Sequence, residues 1–263
     1  MDLGLEGNAA LVAASSSGLG KAAATALARE GANVVVNGRD EQRLDDAVAE
    51  IREVGGGDVV GVSADLTDPD AAETLVERTV EEFGGLDHLV TNAGGPPSKS
   101  FAETTEREWY EAYDLLVMSV VRLVREATEH LQADGGGSVV TSTSRSVKEA
   151  LDDLVLSNSV RMSVVGLEKT LSRELAPEVR VNAVLPGAHR TERLEYLVQN
   201  AVDRGEYDTY EASLASWTDD IPVGDLGDPE EFGNLVAFLL SERASFVNGE
   251  AVTVDGGSGR SNL

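Results

Sequence analysis

The chain has 263 residues, no cysteine and three histidines, and its 47 acidic residues against 21 basic ones leave a net charge of −26. That composition excludes disulfides, thiolate nucleophiles and cysteine metal sites, points to no metal, and opposes binding to nucleic acid or an anionic membrane, both of which need a basic surface. No apolar run approaches the roughly 18 residues of a membrane span, and the N-terminus M-D-L-G-L-E-G-N lacks the basic start and apolar core of a signal peptide, so a cytoplasmic domain is expected.

Short apolar runs alternate with amphipathic segments along the chain. The first run, residues 9–13, predicts a strand and leads into V-A-A-S-S-S-G-L-G-K-A at 12–22. There Ser15, Ser17, Gly18, Leu19 and Gly20 are candidate phosphate contacts: glycines let the backbone approach a pyrophosphate, and a following helix N-terminus favours its charge. Glycine–serine turns also end strands for structural reasons alone. Strand 33–37 runs into N-G-R-D at 37–40, and strand 59–62 into A-D-L-T-D at 64–68. Ala72, Leu75, Val76, Thr79, Val80 and Phe83 share one helical face. Strand 86–91 ends in T-N-A-G-G at 91–95, and Trp109, Tyr113, Leu116, Val120 and Leu123 form the next helical stripe.

Strand 138–141 is followed by a hydroxyl-rich turn, T-S-T-S-R-S at 141–146. S-N-S-V-R at 157–161 then opens a helix whose stripe is Val160, Val164, Leu167, Leu171 and Leu175. Strand 179–185 ends at Pro186 and Gly187. The least regular stretch, 187–228, is too long for a plain connection and reads as a substrate lid. Phe232, Leu235, Val236 and Leu239 form the last stripe, before strand 251–254. Apolar strands alternating with helices predict an α/β fold: one doubly wound parallel sheet (Rossmann fold) of about seven strands, helices on both faces, in a single domain over 1–263.

The motifs, in this order, resemble those of the short-chain dehydrogenase/reductase family over nearly the whole chain. The family's T-G-x-x-x-G-x-G loop corresponds to 13–20. Asp65, with Leu66, resembles its adenine-contacting aspartate; Asn92, Ala93 and Gly94 resemble its N-N-A-G turn. V-N-A-V-L-P-G at 181–187, with Pro186 and Gly187, resembles the segment after strand six, and V-D-G-G at 254–257 the terminal motif. Thr191, in P-G-x-x-x-T, resembles the residue that hydrogen-bonds the carboxamide. Within the family the chain is most similar to 3-oxoacyl-carrier-protein reductase-like proteins. The resemblance implies a nicotinamide cofactor, a small-molecule carbonyl or alcohol substrate, and a homo-tetramer or homodimer.

Two departures bear on the cofactor. The family's first glycine is Ala14 here, and alanine tolerates positive φ poorly, which predicts an adjusted turn. NAD-preferring members carry an acid where this chain has Gly38, and the following Arg39 resembles a clamp for the 2′-phosphate, so NADP is expected over NAD. The other reading of Arg39 is a surface arginine paired with a local acid.

The family's chemistry uses Asn, Ser, Tyr and Lys. By resemblance Ser144 takes the serine position, Ser157 the tyrosine and Arg161 the lysine, while the asparagine falls on Leu116, inside an apolar stripe and read as core. Ser157 and Arg161 share a helix face, but a serine is far less acidic than a phenol and arginine stays charged. Loss of a positioned general acid costs ~10²–10⁴ in rate. Arg161 would still hold ribose hydroxyls and stabilise a developing alkoxide. The plainer readings are a cap or packing residue for Ser157 and a surface charge for Arg161. His189 and Lys148 are candidate substitute acids.

Two functions follow: an NADP-dependent oxidoreductase with an altered proton donor, or a nucleotide-binding protein without turnover, a sensor or partner subunit. The acidic excess, spread along the chain, predicts a halophile's protein, because self-repulsion is screened when ~1 M salt shortens the Debye length to about 3 Å.

Overall fold

A computed structural model describes residues 1–133 and 135–262. Seven strands form one sheet: β1 (Ala9–Val12), β2 (Asn33–Gly38), β3 (Val59–Ser63), β4 (His88–Thr91), β5 (Gly137–Ser142), β6 (Val179–Pro186) and β7 (Ala251–Val254). Their order is β3-β2-β1-β4-β5-β6-β7, every neighbouring pair parallel. The order reverses between β1 and β4, so loops leaving their C-terminal ends diverge and open a crevice there.

Alternation along the strands supplies two cores. Leu11 and Ala13 point to one face with Leu75, Leu89, Leu123 and Val160. Ala10 and Val12 point to the other with Leu27, Val36, Leu44, Phe232 and Val236. The first face carries α3 (Ala71–Phe83), α4 (Glu106–Tyr113), α5 (Ser119–Leu131) and α6 (Val155–Glu174); the second carries α1 (Gly18–Arg29), α2 (Glu41–Val54) and α9 (Pro229–Leu240). α1 and α9 pack almost backbone to backbone, since a Cβ on Gly233 would lie 2.4 Å from the Ala22 carbonyl oxygen. Burying this much apolar surface on both faces of a sheet is the main favourable contribution to folding.

Two expectations change. The stripe from Trp109 to Leu123 is not one regular helix: a π turn, Asp114–Met118, separates α4 from α5. Its extra residue per turn rotates the helix face, so Leu116 is in the core while Tyr113, expected beside it, is 45% exposed. The stretch 187–228 is also more regular than expected. It holds α7 (Glu192–Asp203) and α8 (Tyr210–Thr218), each capped by a threonine, Thr191 and Thr209. No described helix is long and apolar enough to cross a membrane.

Candidate functional site

A cavity of about 880 Å³ opens at the β1/β4 crevice, lined from the C-terminal ends of β1, β2, β3, β4, β5 and β6 and from α7 and α8. At the β1 end the chain turns through Ala14, whose φ of 46° is left-handed. The alanine is accommodated at positive φ. The Ala14 amide donates to Asn37 Oδ1 at 3.0 Å, and Asn92 Nδ2 donates to the Ala14 carbonyl at 3.1 Å, so two side chains hold the alanine in the shape a glycine would take.

Ser17 is the N-cap of α1 but makes no side-chain cap bond, and Gly18 and Leu19 line the cavity beside it. The unpaired N–H groups of a helix start favour an anion. Gly18 adopts φ 55°. Two residues of the loop do not line the cavity. Ser15 is fully buried, donating to the Val12 carbonyl at 2.6 Å and accepting from the Asn37 amide at 2.9 Å. Gly20 is buried beneath the turn, where a Cβ would lie 2.3 Å from the Ala14 oxygen, so its part is to permit close packing.

At the β2 end Gly38 lines the cavity, and a Cβ there would lie 2.6 Å from Ser16 Oγ. The buried Asn37, absent from the sequence-derived candidates, also donates to the Val62 and Ala64 carbonyls and so ties the ends of β1, β2 and β3 together. Arg39 stands at the mouth, its side chain 74% exposed and 3.4 Å from Asp65. Desolvation opposes ionisation of Asp65, but hydrogen bonds from Thr67 and Arg39 outweigh it and hold the carboxyl below its ordinary value. Leu66 lines the wall next to it. Arg43 of α2 reaches Glu192 of α7 at 2.9 Å, both of them lining residues.

Asn92, Ala93 and Gly94 line the β4 end, and Pro186, Gly187 and Thr191 the β6 end. Gly187 is needed by the chain beneath it, because a Cβ would lie 2.5 Å from the Cβ of Asp255. A Cβ on Gly94 would meet nothing within 4 Å. Thr191 caps α7 next to the turn that starts α1: a Cβ on Gly18 would lie 3.7 Å from Thr191 Cγ2.

Ser144, Ser157 and Arg161 are brought together in the same cavity. Ser144 caps a short turn, its Oγ accepting from the Ser146 amide at 3.1 Å. Ser157 is buried, with its Oγ 3.4 Å from that of Ser146, longer than a good O–H···O bond. Arg161 lies one helical turn further on and is 8% exposed, so the reading as a surface charge fails. Its Nη1 reaches the Ser142 carbonyl at 3.5 Å and its Nε is a buried donor without an acceptor. Burial, with the charge of Arg193, pushes its pKa down to about 10.

Arg193 was not among the sequence-derived candidates. It lies on the α7 face that turns toward the cavity, donates from Nη2 to the Pro96 carbonyl at 2.7 Å, and sits 5.1 Å from the Tyr196 ring centroid. Only the helix periodicity after Thr191 could have pointed to it. Of the two substitute acids, Lys148 is exposed and outside the lining. His189 lines the cavity but is 4% exposed, with Nδ1 3.2 Å from the Gly187 carbonyl and its ring edge-on to Phe232; burial lowers its pKa. From the stretch 187–228, Leu194, Leu197 and Trp217 line the cavity, whereas Tyr196, Tyr207 and Tyr210 do not. Among the described lining residues there is neither tyrosine nor lysine, so chemistry here rests on hydroxyls, guanidinium groups and backbone.

Comparison with known proteins bears on the family and the fold. A family model described as Enoyl-(Acyl carrier protein) reductase covers residues 13–259. The chain is 34% identical to dehydrogenase/reductase SDR family member 4 of Homo sapiens over 256 residues, covering 97% of this chain and 88% of the relative. The crystal structure of L-sorbose reductase from Gluconobacter frateurii, complexed with NADPH and L-sorbose, superposes with a TM-score of 0.93 at 32% identity, covering 99% of this chain and all of that one. A 7α-hydroxysteroid dehydrogenase complexed with NADH superposes at 0.86 with 28% identity, covering 97% and 96%.

Proposed function

The chain belongs to the short-chain dehydrogenase/reductase family, and on that premise we propose that it is an NADP-dependent oxidoreductase acting between a nicotinamide and a carbonyl or alcohol. The observation that carries this reading is one cavity containing both an uncapped helix start with Arg39 nearby and the group Ser144, Ser157 and Arg161. The residues fit the cofactor. Gly18 and Leu19 at the α1 start would take the pyrophosphate, and Asp65 and Leu66 the adenine. Arg39 would take the 2′-phosphate, and Thr191 the carboxamide. The open space beside Gly94 leaves room for a ribose. The pairing of Arg39 with Asp65 is exposed and exchangeable for a phosphate, which supports this assignment.

A reduced nicotinamide, when bound, supplies a hydride to a carbonyl carbon while the π pair of the C=O bond moves to oxygen. The protein's part is to hold that oxygen and bring it a proton. The Ser144 and Ser157 hydroxyls donate hydrogen bonds to it, and the fixed charge of Arg161 stabilises the developing alkoxide. Neither serine ionises at neutral pH; the proton comes from water, with the serines keeping their own hydrogens overall. An oxidoreductase with this proton supply is slow by the measure of a positioned general acid, ~10²–10⁴ in rate. NADPH binding followed by its fluorescence in molar KCl, then turnover with ketones, aldehydes and 3-oxoacyl thioesters, tests the reading. Saturable NADPH binding with oxidation by one of these classes supports it. Tight binding without turnover on any class leaves a nucleotide-binding protein instead.

A further inference from the structure

The cavity holds a buried guanidinium, Arg161, and a half-buried one, Arg193, with no carboxylate to balance them, and we infer that the substrate carries its own carboxylate, seated between Arg161 and Arg193 beside the carbonyl to be reduced. The inference rests on the oxidoreductase reading and names the substrate class of that site.

Among the described residues neither Arg161 nor Arg193 has an acidic partner, although the chain carries 47 acidic residues, and both line one cavity. The carboxylates that line the cavity are committed elsewhere. Asp65 is held by Thr67 and Arg39, Glu192 by Arg43, and Asp40 caps α2 through the Arg43 amide. Arg161 has one marginal bond at 3.5 Å and an Nε with no acceptor. Arg193 spends one nitrogen on the Pro96 carbonyl and lies against Tyr196. Each is desolvated, and Arg193 is close enough for its charge to disfavour that of Arg161. Like charges in a desolvated site cost free energy, and leaving a buried cation unpaired costs several kcal/mol. An anion between them reverses both effects.

A planar carboxylate suits this pair, because a guanidinium offers parallel N–H donors in a fixed fork. The position also selects the substrate over the cofactor. The neighbours of the pair are the Ser142 and Pro96 carbonyls at the ends of β5 and β4, whereas the pyrophosphate and 2′-phosphate positions lie at Gly18 and Arg39. Arg161 is one turn from Ser157, so a bound carboxylate lies near the hydroxyl that would hold the carbonyl oxygen. This favours a small oxo acid over a neutral ketone or a thioester. During reduction the carboxylate is unchanged: the carbonyl carbon gains the hydride and its oxygen the proton from water.

Two measurements test this. Isothermal titration calorimetry with malonate, at constant ionic strength and without nucleotide, reads the anion site by itself. Binding by the wild type, weakened at least about tenfold in Arg193→Met and less in Arg193→Lys, is expected, since removing one partner of a buried charge contact costs about 2 kcal/mol or more. NADPH affinity is expected to stay within about threefold in both variants, because the phosphates are held elsewhere. Turnover of acetoacetate against methyl acetoacetate then reads the substrate class, with a kcat/KM ratio of roughly ten or more that collapses toward one in Arg193→Met. Absence of malonate binding overturns the inference, as does a loss of NADPH affinity matching the loss of malonate. Should Arg193→Met not fold, Arg193→Lys carries the same titration, and unchanged malonate affinity in a variant that shortens the fork overturns it. Arg193-dependent malonate binding in a protein that reduces no carbonyl defeats the oxidoreductase reading and leaves the anion site standing. Reduction of acid and ester alike, without malonate binding, does the reverse.

Discussion

The backbone amide of Ala14 donates to Oδ1 of Asn37 at 3.0 Å, and this bond closes a turn in which an alanine stands at φ 46°. Left-handed backbone costs an L-residue roughly 1–2 kcal/mol, so the turn stores strain at the β1 end of the cavity. Ala14→Gly should remove the strain and lose part of the gain to the greater freedom of glycine in the unfolded chain. The expected net effect is a stabilisation of about 0.5–1 kcal/mol, read as a rise in the urea midpoint at unchanged m. A fall in the midpoint would show that the alanine methyl contributes more through packing than its conformation costs.

Arg39 lies at the surface and, among the described residues, pairs with Asp65 alone, so the role in cofactor choice proposed for it is separable from folding. Arg39→Ala should weaken NADPH roughly tenfold, the worth of a charge-assisted bond of about 1.5 kcal/mol, and NADH less than about threefold. Fluorescence titration of both nucleotides checks it. Equal losses would assign the 2′-phosphate position to another group, with Arg43 the first to examine.

The parallel sheet of seven strands and the turns at the strand ends that line the cavity were legible because each rests on a local signal: an apolar run, a glycine where a Cβ would collide, a strand end followed by a motif. Gly38 and Gly187 are of this kind. What was not legible depends on where distant segments meet. Asn37 reads as a polar residue inside a strand until the ends of β1 and β3 are placed beside it. Arg193 is one charge among many on an amphipathic helix until that helix is laid against Pro96. The π turn at Asp114–Met118 has no periodicity signal, since one added residue moves Tyr113 outward while Leu116 remains buried as the stripe requires. Within 13–20 the motif does not tell which members face the cavity. Ser15 turned inward because β2 needs its hydroxyl.

Ser157 faces the cavity one turn before Arg161, so a phenol grafted at Ser157 would project into space already present. The double substitution Ser157→Tyr with Arg161→Lys should raise kcat by ~10² or more, the contribution of a general acid whose pKa a neighbouring ammonium lowers. Initial rates of NADPH oxidation on one carbonyl substrate decide it. An unchanged or lower rate in a folded double variant would show that proton supply does not limit this enzyme.

A net charge of −26 spread over one domain makes self-repulsion the dominant long-range electrostatic effect. Most of the ion pairs are exposed and individually worth roughly 0–1 kcal/mol, too little to oppose it in dilute buffer. The thermal midpoint should therefore rise as KCl increases from about 0.1 M to about 1 M, where the Debye length falls from about 10 Å to about 3 Å. An equal rise in sucrose at fixed low salt would assign the effect to surface exclusion instead of screening.

Glu168 is buried on α6 with Oε1 lacking any donor. Burial raises its pKa from 4.5 to about 7, opposed by the nearby charge of Lys169 and reinforced by that of Glu250. The folded protein therefore binds more protons than the unfolded chain between those values, and the stability linked to that proton is full below the unfolded pKa and lost as pH rises through about 7. Glu168→Gln is neutral throughout, so its stability relative to wild type should grow across this window by about 3 kcal/mol at most. The buried His88, lowered to about 4 by desolvation and the charge of Arg180, has the opposite slope over part of the range, but it is present in both proteins and cancels in the difference. Urea midpoints of the pair at about pH 5 and about pH 8 read that difference directly. A gap that does not widen would mean that Glu168 keeps an ordinary carboxylate pKa, with its orphaned oxygen satisfied in solution.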